Sequence, residues 1–302
     1  MEKVLITGGT GLVGTVITRL LIDNGYEVAH LSRTAASGKI KRFLWDVGKG
    51  IIEPEAISFA DHIIHLAGAG VFDHRWTAAY KKEITDSRIK STALLENAVS
   101  ASTHLKSFVS ASAIGYYGLD TGDQWMDENS KKGNGFLSDL TYDWEKAVNQ
   151  IHAPGLRTVI LRVGIVLSEQ GGALPQMAQP VKYFVGSPLG SGKQYVSWIH
   201  IDDLAASFLH ALRNPIQGVY NAVASDPVTN ATLTKAIGKV LHKPVFLPPV
   251  PGFILGMILG QEKAKMVIGG NRVSNAKLKE SGFAFRYTNA EEAVKALLID
   301  SK

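Results

Sequence analysis

The chain has 302 residues, of which 45% are hydrophobic, a net charge of +5 and no cysteine. This composition predicts one large domain or two closely packed lobes, and it excludes disulfides, thiolate metal ligands and a cysteine nucleophile. The basic residues are scattered, so we expect no nucleic-acid partner. No apolar run approaches the ~20 residues that span a bilayer, so we expect no membrane partner. The chain begins directly with a strand pattern, and we therefore expect a cytoplasmic location.

The first predicted strand runs directly into a glycine-rich turn. An apolar run ends at Thr7, and Gly8, Gly11 and Gly14 follow at three-residue spacing before a helical pattern over 13–24. Strand, glycine turn and helix in this order predict a dinucleotide-binding site. A backbone without Cβ atoms can approach a pyrophosphate, and the amides at the helix N-terminus face its charge. The residues assigned to this site are Thr7, Gly8, Gly9, Thr10, Gly11, Leu12, Val13 and Gly14.

Apolar runs alternate with helical patterns through the first half of the chain. This alternation predicts an α/β fold, a Rossmann-like doubly wound parallel sheet of about seven strands with helices on both faces. Ligands of such sheets lie at the carboxyl ends of the strands. The predicted strands are 4–6, 28–31, 41–45, 62–66, 107–110 and 159–163, and the predicted helices are 13–24, 76–101 and 136–151.

From about residue 168 the pattern becomes rich in glycine and proline. Helical patterns return at 202–212, 230–242, 252–267 and 289–299, with a short strand at 219–222. We expect two domains. The first is an NAD(P)-binding Rossmann domain over 1–167 that also takes in about 195–223, and the second is a smaller C-terminal substrate lobe over 168–302.

The end of the second strand indicates which dinucleotide is bound. Folds that prefer NAD usually place an acid there, about 20 residues past the glycines, to bind the ribose 2′-hydroxyl. This chain instead has Ser32, Arg33 and Thr34. A guanidinium can hold a 2′-phosphate, so we expect NADP(H) to be preferred over NAD(H). The alternative is that Arg33 is an ordinary loop residue in solvent.

Several later motifs follow the ends of predicted strands. They are Leu66-Ala67-Gly68, Ser110-Ala111-Ser112, Leu161-Arg162-Val163 and Trp198-Ile199-His200, together with Asp86-Ser87-Arg88, Asp143-Trp144-Glu145 and Gly282-Phe283. With the N-terminal glycines they resemble the extended short-chain dehydrogenase/reductase superfamily of nucleotide-sugar epimerases and dehydratases. The whole chain is similar to an atypical "epimerase family" branch with a C-terminal domain of unknown function.

The resemblance implies an NADP-dependent oxidoreductase or nucleotide-sugar epimerase-like enzyme that acts on a small carbonyl or hydroxyl substrate. It adds further cofactor-binding residues, which are Leu66, Ala67, Gly68, Arg88, Ser110 and Arg162. For Arg162 a second interpretation is open, because it can instead pair with Asp46 or Glu145. The substrate stays unknown, and the protein is expected to be a monomer or a homodimer.

Members of this superfamily use a Ser and a Tyr-x-x-x-Lys pair, in which Lys lowers the Tyr pKa and Tyr moves the proton as hydride moves. Ser112 and the literal match Tyr142 and Lys146 are therefore the candidate catalytic residues. The superfamily register, however, places the pair at Leu137 and Thr141. Five helical steps from Leu137 turn Tyr142 about 140° away from the cofactor.

Three interpretations of this departure stay open. A shifted helix brings the literal pair back to the site, or another group carries the proton, or the protein binds NADPH without catalysis as a sensor or regulator. The groups considered for the proton are Tyr116, Tyr117, Arg88 and His200. The branch has been linked with cell division, which makes a regulatory role one of the implied functions. His62 and His65 face opposite sides of one strand, so we expect no metal site.

Overall fold

The computed structural model describes residues 1–34 and 38–300. An eight-stranded sheet forms the centre of this described part, in the order β12-β8-β6-β5-β1-β2-β3-β4. The predicted doubly wound parallel sheet is confirmed: β1 pairs in parallel with β2 and β5, β2 with β3, and β5 with β6. The strand beyond the predicted seven is β4, a two-residue edge strand that pairs antiparallel with β3.

The bounds of the strands and helices are as follows. The strands are β1 Lys3–Thr7, β2 Glu27–Ser32, β3 Lys41–Asp46, β4 Ile51–Ile52, β5 His62–His65, β6 Ser107–Ala113, β7 Trp125–Met126, β8 Arg157–Val163, β9 Ile165–Leu167, β10 Tyr195–Val196, β11 Trp198–His200, β12 Gly218–Ala222, β13 Val228–Thr229 and β14 Arg272–Val273. The helices are α1 Leu12–Asp23, α2 Pro54–Phe59, α3 Ala78–Val99, α4 Phe136–Val148, α5 Ala173–Lys182, α6 Ile201–Arg213, α7 Asn230–Val240, α8 Gly252–Leu259, α9 Gln261–Ile268, α10 Ala276–Glu280 and α11 Ala290–Lys295.

The central strands are apolar on both faces because helices cover both sides of a doubly wound sheet. Leu5 in β1, Ile63 in β5 and Phe108 in β6 are fully buried in one core cluster. Trp144 and Val148 of α4 pack into the same cluster. This packing fixes which face of α4 is turned toward the sheet.

Two of the differences between predicted and observed helices have local reasons. The predicted helix 252–267 is two helices, α8 and α9, because Gly260 between them has a φ of +84° that ends the first. The predicted start at 76 moves to Ala78, because the Thr77 side chain accepts a hydrogen bond from the Tyr80 amide and caps α3.

The chain divides into two compact units that interleave along the sequence. Unit 1 comprises Met1–Ser112, Leu140–Arg162 and Ala205–Tyr220, and unit 2 comprises Ala113–Asp139, Val163–Leu204 and Asn221–Lys302. The domain boundaries expected from the sequence stay a prediction. None of the helices in the described residues has the length and apolar character needed to span a bilayer.

Candidate functional site

The glycine turn of unit 1 leaves no room for side chains at Gly9 and Gly14. Gly8 has a φ of +69°, and a Cβ at Gly14 would lie 2.3 Å from the Gly8 carbonyl oxygen. A Cβ at Gly9 would lie 2.4 Å from the His30 ring. Gly11 precedes α1 without a side-chain cap, and the first turn of α1 holds no acid. The helix N-terminus therefore presents open amides and positive dipole charge, which fits a pyrophosphate.

A hydrogen-bonded chain fixes the backbone after β5. Thr7 Oγ1 accepts hydrogen bonds from the amides of Leu66 and Ala67, at 3.0 and 3.1 Å, and its own hydrogen goes to His65 Nδ1 at 2.8 Å. His65 Nε2 then donates to Thr92 Oγ1 at 3.1 Å. Burial lowers the pKa of His65 to about 3, so the ring is neutral. The sequence did not identify His65 and Thr92 as supports of the predicted Leu66 and Ala67 segment.

The predicted 2′-phosphate residues lie at the carboxyl end of β2. Arg33 and Thr34 are exposed, and the Thr34 amide donates to Ser32 Oγ at 3.3 Å. Arg33 has no ion-pair partner among the described residues. The arrangement leaves a guanidinium and a hydroxyl available on the side of β1 where an adenosine 2′-phosphate is expected.

Arg88 lies against the backbone that follows β5. A Cβ on Gly68 would come within 2.9 Å of Arg88 Cζ. Arg88 Nη1 donates to the carbonyl oxygens of Ala69 and Ile84, at 3.0 and 3.1 Å, and Cζ lies 5.1 Å from the centroid of the Trp144 ring. Burial lowers the pKa of Arg88 to about 10, which leaves it protonated at neutral pH.

Ser112, Glu145 and Arg162 form a buried network in unit 1. Ser112 Oγ donates to Glu145 Oε1 at 2.6 Å. Arg162 Nε donates to the same oxygen and Nη2 donates to Oε2, both at 2.8 Å. Of the alternatives considered for Arg162, the pair with Glu145 is the one observed. Ser110, two residues earlier in β6, donates instead to the Ala111 carbonyl oxygen at 2.9 Å.

This network sets the hydrogen-bonding character of Ser112. A serine hydroxyl has one hydrogen and two lone pairs, and here the hydrogen is bonded to the Glu145 carboxylate. A ligand group that meets Ser112 Oγ must therefore donate a hydrogen bond, as a hydroxyl or an N–H does. The sequence predicted Ser112 as a site residue but missed Glu145 as its partner.

Helix α4 presents Trp144 and Glu145 to the sheet and turns the predicted catalytic pair outward. Tyr142 is 44% exposed, Lys146 is exposed, and Thr141 is buried. The helix thus follows the register counted from the sequence. This placement argues against catalytic roles for Tyr142 and Lys146.

Three further candidates for proton transfer lie in unit 2. Tyr117 is buried, and its hydroxyl donates to Asn221 Oδ1 at 2.7 Å, while the half-buried Tyr116 packs edge-on against the Tyr117 ring. His200 Nδ1 accepts from the Asp202 amide, and its ring stacks on Tyr287 at 3.8 Å. Burial lowers the pKa of His200 to about 4, so it is neutral near pH 7. These contacts tie Tyr117 and His200 to the packing of unit 2.

The described residues contain no group of three His, Asp or Glu side chains arranged to hold a metal ion.

Comparison with known proteins identifies the family. The model of the NAD dependent epimerase/dehydratase family matches residues 4–223, and a domain of unknown function, DUF1731, matches residues 250–297. The chain belongs to this epimerase family. Epimerase family protein YfhF of Bacillus subtilis is 35% identical over 304 residues, which cover 99% of both chains. Epimerase family protein SDR39U1 of Homo sapiens is 33% identical over 302 residues, 98% of this chain and 99% of the relative.

Solved structures agree with the epimerase-family assignment. The crystal structure of human SDR39U1 (isoform 2) with NADPH has a TM-score of 0.88 and 32% identity, covering 98% of this chain and 99% of the human one. A UDP-glucose 4-epimerase from Thermotoga maritima, solved with UDP-glucose, has a TM-score of 0.73 at 18% identity over 98% of this chain and 97% of its own, which shows the fold alone. The resemblance inferred from the sequence motifs is thereby confirmed, and the cofactor in the human relative agrees with the predicted preference for NADP(H).

Proposed function

We propose that this chain binds NADPH in unit 1 and acts as an NADP-dependent oxidoreductase or epimerase-like enzyme on a small substrate with a hydroxyl or carbonyl group. The observation that carries the proposal is the cradle at the start of α1. Side chains are sterically excluded at Gly9 and Gly14, no capping group blocks the amides, and Arg33 follows the neighbouring strand. The NADPH in the human relative's structure supports the same cofactor for this chain.

Different residues of the chain are assigned to different parts of the cofactor. The amides of Leu12, Val13 and Gly14 at the start of α1 would hold the pyrophosphate, and Arg33 would hold the 2′-phosphate. Thr7 holds the backbone of Leu66 and Ala67 in place through its bonds to both amides. When bound, the nicotinamide cofactor supplies hydride transfer.

Ser112 orients the substrate in this proposal. Its lone pairs accept from a substrate hydroxyl, while Glu145 and Arg162 hold the serine hydrogen away from the substrate. Ser112 therefore recognises a hydroxyl or N–H group of the substrate rather than a carbonyl oxygen, which offers no hydrogen.

A second candidate function is a non-catalytic NADPH-binding sensor or regulator, with cell division as one setting. The observation that favours it is the placement of the literal Tyr-x-x-x-Lys pair: Tyr142 and Lys146 are both exposed on α4.

Calorimetric titration with NADPH, NADP⁺, NADH and NAD⁺ tests the cofactor assignment. We expect NADPH to bind at least about tenfold more tightly than NADH, and Arg33→Ala to remove that preference. The matched control is Arg19→Ala, since the Arg19 side chain is 86% exposed on α1 and its ion pair is with Asp23 in the same helix. No binding of any of the four dinucleotides would overturn both candidate functions.

A substrate screen then separates the two functions. Small alcohols are supplied with NADP⁺, small aldehydes and ketones with NADPH, and absorbance of the reduced nicotinamide is followed. Turnover that Ser112→Ala reduces at least about a hundredfold supports the enzyme. Tight NADPH binding without turnover across the screen supports the sensor.

A further inference from the structure

Two arginines of unit 1, Arg88 and Arg162, lie near the carboxyl ends of strands, and they differ in how their charge is balanced. Arg162 is neutralised by a bidentate bond to Glu145. Arg88 has no carboxylate partner among the described residues, and its Nη1 donates to the neutral carbonyl oxygens of Ala69 and Ile84. The acid nearest to it along α3, Asp86, is paired with two lysines of the same helix. Arg88 therefore carries an uncompensated positive charge.

The strand order indicates which half of a dinucleotide meets this charge. β2 and Arg33 lie on one side of β1, and β5, which leads into Gly68, lies on the other side. A dinucleotide whose pyrophosphate lies at the glycine turn after β1 and whose 2′-phosphate lies at Arg33 extends its nicotinamide half over β5 and β6. Arg88 contacts the backbone at Gly68 and would therefore lie beside the nicotinamide half.

We propose that Arg88 makes this site selective for the redox state of the cofactor. The nicotinamide ring is positively charged in NADP⁺ and neutral in NADPH. A fixed cation beside the ring therefore weakens the binding of NADP⁺ and leaves the binding of NADPH unaffected. The inference rests on the proposed NADPH binding and adds to it a preference between the two forms. Such a preference serves an enzyme that works as a reductase and a sensor that reports the NADPH level alike.

The surroundings of Arg88 preserve this effect. The Trp144 ring covers one face of the guanidinium, and two carbonyl oxygens hold Nη1, so the charge is fixed in position. Burial lowers the pKa of Arg88 only to about 10, and the neighbouring His65 is neutral. At an effective dielectric constant of about 20, a like charge beside the nicotinamide ring is expected to weaken the binding of NADP⁺ at least about tenfold.

Titration of the full chain with NADPH, NADP⁺ and 2′-phospho-ADP-ribose, which lacks the nicotinamide, tests the inference. We expect Kd for NADP⁺ to exceed Kd for NADPH at least about tenfold, equivalent to a shift of about 30 mV in the potential of the bound couple. In Arg88→Gln the ratio falls toward one because NADP⁺ binds more tightly. Arg88→Lys keeps the ratio, and 2′-phospho-ADP-ribose binds equally to the wild-type chain and both variants.

Arg19→Gln on the exposed face of α1 is the matched control and leaves the ratio unchanged. Circular dichroism checks that each variant is folded. The ratio in the unaltered chain is a test by itself if Arg88→Gln does not fold. Equal affinity for the two forms, or a ratio that Arg88→Gln leaves intact, overturns the inference alone. Loss of 2′-phospho-ADP-ribose binding in Arg88→Gln also overturns it, because Arg88 then serves the phosphates. Failure of both dinucleotides to bind overturns the proposed function as well.

Discussion

Gly9 and His30 are predicted to be coupled, because the imidazole occupies the space that a side chain at position 9 would need. A Cβ at Gly9 would lie 2.4 Å from two atoms of the ring, and Thr18 holds the buried ring through a 2.8 Å bond to Nε2. The ring therefore cannot move aside without losing that bond. Gly9→Ala should cost about 1–3 kcal/mol of unfolding free energy, the usual range for overpacking. His30→Ala creates the missing space, so the double variant should be about as stable as His30→Ala alone.

Urea unfolding of the wild-type chain, the two single variants and the double variant completes a double-mutant cycle. We expect a favourable coupling energy of about 1–3 kcal/mol. Gly14→Ala is the contrasting case, since its Cβ would lie 2.3 Å from the Gly8 carbonyl oxygen, which His30→Ala does not remove. Gly38→Ala is the neutral control, because its Cβ has no neighbour within 4 Å. Additive effects of Gly9→Ala and His30→Ala would refute the reasoning.

Three further predictions concern polar side chains of unit 1. Glu145→Gln, which leaves the Arg162 charge unpaired, should cost about 3–5 kcal/mol in urea unfolding, and Ser112→Ala about 1.5–3 kcal/mol; equal costs would contradict the assigned network. The pKa of His65 is lowered to about 3, so its contribution is complete above pH 6.5 and declines by up to about 1.4 kcal/mol per pH unit below it. His65→Asn should flatten stability between pH 6 and 4, and an unchanged slope would argue against this. Tyr142→Phe should leave NADPH affinity and any turnover within twofold, and a tenfold loss would restore Tyr142 as a catalytic residue.

The sheet could be predicted from the sequence because its signals are local. Alternating apolar runs and helical patterns specify a doubly wound sheet without any knowledge of long-range contacts. The glycine turn was predictable for the same reason, since strand, glycines and helix are consecutive in residues 3–23. The errors also had local causes, such as the positive φ of Gly260 that divides one predicted helix into α8 and α9.

The network around Ser112 was less accessible to sequence reasoning. Ser112 and Glu145 are 33 residues apart, and Glu145 and Arg162 are separated by 17. Their meeting depends on the packing of α4 against the sheet, which no local pattern encodes. Counting the helical register did indicate that Tyr142 turns outward, because rotation within one helix is a local property. The structure was needed to show that Glu145 turns inward and bonds to Ser112 and Arg162.

The rotation of α4 changes the chemistry of the site rather than only removing a catalytic pair. The rotation that leaves Tyr142 and Lys146 exposed brings Trp144 and Glu145 to the side facing the sheet. Glu145 accepts the hydrogen bond from Ser112, which leaves that serine with only its lone pairs to offer a ligand. Trp144 packs on Arg88, and the neutral Glu145–Arg162 pair leaves Arg88 as the uncompensated charge. Ser112 as an acceptor acts on the substrate, and Arg88 as a cation acts on the cofactor. Activity is therefore best tested with hydroxyl-bearing ligands and with both redox forms of the cofactor.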